Sequence, residues 1–167
     1  PGDEVIVFEP VYDTYVPNMV MAGVTPRYIP LRGENWTFDP DELARAFNAH
    51  TRAIIVNTPH NPTGKVYAPE ELRVIADLCQ KHDVIAITDE VYEHILYDDA
   101  VHTRLARLPG MEDRTVTISS LGKTFSVTGW KIGWAVGPAA LVNSVNQAHQ
   151  FITYAVGLTA SGAVKSI

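Results

Sequence analysis

Three side chains with complementary chemistry each follow an apolar run that is typical of a buried β-strand. These are the amide Asn61, the carboxylate Asp89 and the amine Lys123. In a parallel sheet the carboxyl ends of the strands share one edge, where ligands bind, so we expect the three groups to meet there. Partial burial of Lys123 and the positive charge of the second lysine, Lys131, would both lower its pKa and favour the neutral amine that attacks carbonyls, and a surface lysine in a loop is the alternative.

An amine and a carboxylate at neighbouring strand ends suit a cofactor that is both an aldehyde and a pyridine, as pyridoxal 5'-phosphate is. Lys123 would bind the aldehyde as an imine. Asp89 would keep the ring nitrogen protonated, so that the ring draws electrons from the α-carbon of an amino acid. Tyr92 would reach the ring oxygen with its hydroxyl if the chain turns after Asp89. The sequence therefore predicts a pyridoxal-phosphate site at this edge.

The elements that must position these groups alternate along the chain. Strands are predicted at 4–8, 27–31, 53–57, 84–88, 115–119 and 132–136. Helices are predicted at 12–22, from 40 to about 49, from 69 and at 141–154. This alternation predicts an α/β/α sandwich with a mostly parallel sheet.

Several local signals refine these bounds. Pro30 cannot donate to a ladder, so its strand should lie near a sheet edge. Asp39 is a strong N-cap before Pro40, and Glu42 should complete a capping box. By contrast, Ala68 is a poor cap for the helix that opens at Pro69.

Composition limits the classes of function. The chain has 167 residues, of which 46% are hydrophobic and 19% are charged, as in a globular domain. Thirteen basic and nineteen acidic residues give a net charge of −6, which argues against a nucleic-acid partner. The six histidines show no metal-ligand spacing, and no membrane segment is predicted. Cys79 is the sole cysteine, so an internal disulfide is excluded and a reducing, cytoplasmic location is expected.

Four motifs occur in the order and approximate spacing of the class I/II aminotransferases. They are Asn-Pro-Thr-Gly at 61–64, Asp-Glu-Val-Tyr at 89–92, Ser-Leu-Gly-Lys-Thr at 120–124 and Gly-Trp-Lys-Ile-Gly at 129–133. The chain resembles this family over essentially its whole length, which implies the aspartate-aminotransferase fold, or fold type I. The segment 9–15 and the Gly-Trp-Lys run are most similar to the kynurenine aminotransferase branch, which includes cysteine-conjugate β-lyases and methionine or aromatic aminotransferases.

The resemblance implies roles for seven residues. Lys123 would form the imine and then move the proton between the α-carbon and the cofactor. Asp89 would pair with the pyridinium, and Tyr92 and Asn61 would hydrogen-bond the ring oxygen. The other three would stack on the ring or bind the phosphate: Tyr12 on the ring face, and Ser120 with Lys131 at the phosphate. Many relatives carry an arginine where this chain has Lys131, and lysine lacks the bidentate fork of arginine.

The resemblance also implies a larger protein. We expect residues 1–167 to be part of a large pyridoxal-phosphate-binding domain. The phosphate loop would lie upstream, and the small domain with its carboxylate-binding arginine would lie downstream. The expected activity is transfer of an amino group from an L-amino acid to a 2-oxo acid by a homodimer, with the isolated segment inactive. A fold type I lyase and an aminotransferase-like sensor domain of a transcription regulator remain as alternatives.

Overall fold

One six-stranded sheet organises the computed structural model, which describes residues 2–153. Its strands are β1 (Glu4–Glu9), β2 (Thr25–Pro30), β3 (Thr51–Asn57), β4 (Ile85–Asp89), β5 (Thr115–Ser120) and β6 (Gly133–Val136). The strand order is β2-β1-β3-β4-β5-β6, in which β6 alone is antiparallel to its neighbour. The prediction of a mostly parallel α/β sheet is therefore confirmed, and Pro30 does lie in an edge strand.

Within residues 2–153, four helices connect these strands and a fifth follows β6. They are α1 (Tyr15–Met21), α2 (Pro40–Ala46), α3 (Pro69–His82), α4 (Leu121–Thr124) and α5 (Ala139–Ile152). Between β4 and β5 the chain makes two short 3-10 turns, Leu105–Arg107 and Glu112–Arg114, and a third turn, Thr128–Trp130, precedes β6. None of the helices within residues 2–153 is long and apolar enough to cross a membrane.

The central strands are buried on both faces, as their continuous apolar runs predict. In β1 the side chains of Ile6 and Phe8 join the larger core under α2 and α3, whereas Val5 and Val7 join a smaller cluster with Met19 of α1. This alternation places helices on both faces of the sheet, so the layered arrangement follows from the period of two in a strand.

Several predicted helix bounds differ from the structure. Helix α1 begins at Tyr15 rather than at position 12, so that Pro17 falls in its first turn, where a missing N–H costs no hydrogen bond. Helix α2 ends at Ala46 rather than near 49, and α5 begins at Ala139 rather than at 141. The predicted end of α5 at position 154 lies outside the described residues.

Of the two capping interactions predicted for α2, one is present. The Asp39 carboxylate accepts hydrogen bonds from the backbone N–H groups of Asp41 (2.8 Å) and Glu42 (3.3 Å), which confirms the N-cap. The predicted capping box is wrong, because the Glu42 carboxylate instead pairs with the guanidinium of Arg32. At α3 the Glu71 carboxylate accepts from the Ala68 N–H (2.9 Å), which compensates for the poor cap.

Candidate active site

Three adjacent strands bring the candidate residues to one edge. Asn57, the last residue of β3, lies in register with Asp89, the last residue of β4, and β5 ends beside them at Ser120. The strands are parallel, so all three carboxyl ends face the same side. The predicted meeting of the three strand ends is confirmed.

A cavity of about 240 Å³ opens at this edge. Six of the seven predicted site residues line it: Tyr12, Asn61, Asp89, Tyr92, Ser120 and Lys123. The remaining lining residues are Tyr15, Asn57, Val91 and Ser119, which the sequence reasoning did not assign to the site. The cavity thus joins β3, β4 and β5 with the start of α1.

Asn61, Tyr92 and Lys123 lie together on one side of the cavity. The chain turns after β4, as the site required, with the Glu93 N–H donating to the Glu90 carbonyl (2.9 Å). This turn brings the Tyr92 hydroxyl to 3.5 Å from the Asn61 amide nitrogen. The Lys123 ammonium nitrogen lies 5.8 Å from the centre of the Tyr92 ring. An amide donor, a phenol and an amine therefore converge on one small volume.

The Asp89 carboxylate is held by two donors. The Tyr15 hydroxyl donates to Oδ2 (2.5 Å), and the Val91 N–H donates to Oδ1 (3.2 Å). Burial and the negative charge of Asp89 raise the pKa of Tyr15 well above its ordinary value, so the phenol stays a neutral donor. The sequence did contain a signal for Tyr15, because residues three apart share one face of a helix and Tyr12 and Tyr15 both fall in the helix predicted at 12–22.

Tyr12 forms a wall of the cavity. Its ring meets the ring of Tyr15 edge-on, with centroids 5.5 Å apart and planes inclined by 70°. Such an edge contact fixes the orientation of an aromatic ring that would otherwise rotate on the surface. The predicted role of Tyr12 as a stacking platform stays a prediction.

Lys123 is exposed to solvent, which decides between the two alternatives that the sequence left open. It lies in the four-residue helix α4, where it is a surface lysine and not a partly buried one. The reason is local, because α4 packs against the turn Thr128–Trp130, which is itself exposed. The Thr128 hydroxyl donates to the Gly122 carbonyl (2.9 Å) and ties the turn to the helix.

Ser120 and Lys131, the two predicted phosphate ligands, are placed differently. Ser120 precedes α4 and lines the cavity, whereas Lys131 is exposed and is not among the lining residues. Lys131 ends the 3-10 turn in the left-handed conformation, with φ of 53°. Its role as a phosphate ligand stays a prediction.

The loop that carries Asn61 is held by its neighbours. The ring nitrogen Nδ1 of the buried His60 lies 2.8 Å from the Thr63 hydroxyl oxygen, and the backbone N–H of His60 donates to the Lys65 carbonyl (2.8 Å). Burial, together with the positive charge of Lys65, lowers the pKa of His60 to about 4, so this ring is neutral near pH 7. His60 therefore belongs to the framework of the loop.

A separate cluster of ionisable groups lies outside the cavity. Ligand atoms of Glu90, Glu93 and His102 lie within 4.8 Å of one another. His102 Nε2 is 2.9 Å from the buried Glu90 carboxylate, and the Arg104 guanidinium pairs with both carboxylates. Because Arg104 already supplies positive charge there, we interpret the cluster as an ion-pair network that anchors the segment after β4.

The donor set of the cavity fits pyridoxal phosphate. The amine of Lys123 suits its aldehyde, and the carboxylate of Asp89 suits its ring nitrogen. The Asn61 amide and the Tyr92 phenol suit its ring oxygen, and the hydroxyl of Ser120 suits its phosphate. Each of these groups lines the same cavity, so the side chains match the functional groups of the cofactor one by one.

Comparison with known proteins identifies the family of the chain. The family model "Aminotransferase class I and II" matches residues 1–167, so the chain belongs to the class I/II aminotransferase family. It is 53% identical to kynurenine–oxoglutarate transaminase 3 of Mus musculus over 96% of its own length, and 49% identical to kynurenine–oxoglutarate transaminase 1 of Homo sapiens over 89%. The chain spans about 38% of the length of each of these relatives.

Solved structures show the same fold. N-succinyldiaminopimelate aminotransferase from Mycobacterium tuberculosis superposes with a TM-score of 0.90 at 49% identity, covering 94% of this chain and 41% of that one. A double mutant of Thermus thermophilus aspartate aminotransferase gives 0.88 at 35% identity, covering 93% and 40%. The chain therefore has part of the aspartate-aminotransferase fold, as the motifs implied.

Proposed function

We propose that the protein is a pyridoxal-phosphate-dependent aminotransferase that moves an amino group from an L-amino acid to a 2-oxo acid. The observation that carries this proposal is the convergence of Asn61, Asp89, Tyr92 and Lys123 on one cavity. Membership of the class I/II family and the transaminase names of the relatives support it. Residues 1–167 would then belong to the large cofactor-binding domain of a longer enzyme.

The chemistry that the cofactor supplies when bound is that of an electron sink for the substrate's α-carbon. Lys123 would hold the cofactor through its Nζ and, once released by the substrate, would carry the proton to and from that carbon. Asp89, already oriented by two donors, would keep a positive charge at the ring nitrogen. Asn61 and Tyr92 would donate to the ring oxygen, Tyr12 would support the ring face, and Ser120 and Lys131 would bind the phosphate.

The partners of the enzyme follow from the same proposal. We propose small-molecule amino acids and 2-oxo acids as substrates, a homodimer as the active assembly and the cytoplasm as the location. The names of the relatives specify kynurenine with oxoglutarate in one case and N-succinyldiaminopimelate in another, so they support the class of substrate rather than one compound. The transaminase names give amino transfer more support than a lyase or a sensor domain.

Covalent trapping tests the proposal directly. The full-length protein is mixed with pyridoxal phosphate, reduced with borohydride, digested and analysed by mass spectrometry. We expect a pyridoxyl group on the peptide that contains Lys123, its loss in Lys123→Ala, and its retention in Lys81→Ala, an exposed lysine in the last turn of α3. A label spread over other lysines, or no label, would contradict the proposed site.

Turnover separates transfer from the two alternatives. An aminotransferase converts an amino acid and a 2-oxo acid into the exchanged pair, whereas a lyase releases the side chain of a cysteine conjugate without a 2-oxo acid acceptor. Binding without either reaction would favour the sensor domain.

A further inference from the structure

We propose that Asn57 is a positioning residue that fixes the Asn61 loop relative to Asp89. Asn57 is the last residue of β3, lines the cavity and has 4% of its surface exposed. None of the roles described above includes it. The inference rests on the proposed function, because Asn61 and Asp89 matter to the cofactor only if the cofactor binds.

The Asn57 amide directly connects Asn61 and Asp89, the two residues expected to contact the cofactor ring. Its Oδ1 accepts a hydrogen bond from the Asn61 N–H (2.7 Å), and its Nδ2 donates to the Asp89 carbonyl (2.9 Å). One side chain therefore joins the backbone of the loop to the end of the neighbouring strand. Asparagine is suited to this bridge, since it offers a donor and an acceptor on one planar group.

The bridge lies where the regular ladder stops. The register of β3 with β4 ends at the pair Asn57 and Asp89, and the chain then leaves the sheet. Hydrogen bonds from His60 to Lys65 and from Gly64 to His60 close the loop on itself. They set the shape of the loop, whereas the bond from Asn61 to Asn57 ties that shape to the sheet.

The two ends of the bridge differ in how they respond to its loss. The Asp89 carbonyl also accepts from the Thr58 N–H (3.0 Å), so it keeps one partner without Asn57. The Asn61 N–H donates to Asn57 Oδ1 inside a partly buried site, and an unpaired donor there is costly. Removal of the amide should therefore release the loop at Asn61 and leave β4 in place.

Asn48 provides a matched control at the other end of the sheet. Its amide oxygen likewise accepts from the His50 N–H (2.8 Å), and its amide nitrogen donates to the Glu4 carboxylate (2.7 Å) and to the Ala46 carbonyl (3.4 Å). Asn48→Leu and Asn57→Leu remove similar interactions by the same change of side chain. Only the second change lies at the cavity.

The first measurement needs no cofactor. Amide hydrogen exchange at Asn61 in the full-length protein is compared between the unaltered chain, Asn57→Leu and Asn48→Leu. We expect exchange at Asn61 to be at least about 10-fold faster in Asn57→Leu and unchanged in Asn48→Leu, because an amide without its acceptor opens more readily. Asn57→Ala, which is smaller and causes no steric clash, repeats the test if Asn57→Leu fails to fold.

The second measurement uses the bound cofactor as a reporter. We expect Asn57→Leu to weaken pyridoxal phosphate binding about 10-fold, which corresponds to about 1.4 kcal/mol. We also expect the pH midpoint of the bound cofactor's visible absorbance to shift by about one unit, which corresponds to a similar free energy. Asn48→Leu should lower thermal stability and leave both values unchanged. A merely structural residue would behave like this control.

The outcomes separate the two proposals. If the unaltered protein binds no cofactor, the proposed function fails and the inference fails with it. If the cofactor binds but Asn57→Leu matches Asn48→Leu in exchange, affinity and midpoint, the proposed function stands and the role of Asn57 is overturned. Faster exchange at Asn61 together with a shifted midpoint supports both.

Discussion

Two parts of the chain, residues 4–89 and residues 115–152, differ in how many of their side chains are buried. The buried half, residues 4–89, contributes most of the core, including Ile54 and Val56 of β3 with no exposed surface. The exposed half, residues 115–152, adds only Val116 and Ile132 to the buried hydrophobic side chains, and α5 has no buried residue. The most exposed apolar side chains of this half are Phe125, Val136, Phe151 and Ile152.

The candidate site draws from both halves. Asn61 and Asp89 come from the buried half, where packing and hydrogen bonds fix them. Lys123 comes from the exposed half, where α4 and its adjoining turn contribute little buried surface. The buried half therefore sets the geometry of the candidate site, whereas the exposed half would supply its proposed reactive group, Lys123.

The largest expected effect concerns Lys123, whose loss should remove activity without unfolding the protein. In Lys123→Ala we expect transamination by the full-length enzyme to fall on the order of 10²- to 10⁴-fold or more, because proton transfer is lost. Stability should change by less than about 0.5 kcal/mol, since the side chain is exposed. Steady-state kinetics and thermal melts check this. A large loss of stability with retained activity would contradict the view that the exposed half contributes reactivity and not stability.

Two valines test the comparison of burial directly. Val56 is fully buried in β3, whereas Val136 in β6 is 61% exposed. We expect Val56→Ala to cost about 2 kcal/mol in the free energy of unfolding and Val136→Ala less than about 0.5 kcal/mol. Urea denaturation of the 167-residue chain measures both. A large cost for Val136→Ala in the full-length protein alone would show that another part of that protein covers β6.

Tyr15 tests how firmly the buried half holds Asp89. Tyr15→Phe removes the hydroxyl that donates to the carboxylate, and a hydrogen bond to a charged group contributes about 1.5 kcal/mol or more. We expect a loss of about that size in stability and roughly 10-fold weaker cofactor binding. Tyr28→Phe, on the edge strand β2, is the control and should change neither. Equal behaviour of the two variants would rule out a role for Tyr15 in holding Asp89.

A further expected effect is a pH dependence at the far end of the sheet. Hydrogen bonds from Arg27 and Asn48 lower the pKa of Glu4 from 4.5 to about 2. A lowered pKa in the folded state stabilises the protein above pH 4.5, and this contribution is lost as the pH falls towards 2. Glu4→Gln should therefore be less stable at pH 7 and lose less stability between pH 4.5 and 2. Unfolding curves across that range check this, and unchanged pH dependence would contradict it.

The fold and most of the candidate site could be predicted from the sequence. Strand bounds followed from apolar runs to within two residues, with β2 and β3 beginning two residues earlier than predicted. The meeting of Asn61, Asp89 and Lys123 followed from the shared carboxyl ends of parallel strands. Tyr15 and Asn57 were missed, because their roles depend on tertiary hydrogen bonds that span 74 residues to Asp89 in one case and 32 in the other. The sequence also left the burial of Lys123 open, since it depends on what packs against α4.

Prolines in β2 limit the direction in which this sheet can grow. Pro26 and Pro30 lie in the strand that forms one edge, and neither has an N–H to offer a further strand. A foreign chain that approached there would find two of the six positions unable to donate, which discourages edge-to-edge aggregation. Strand addition is therefore disfavoured beside β2, on the side of the sheet away from Lys123.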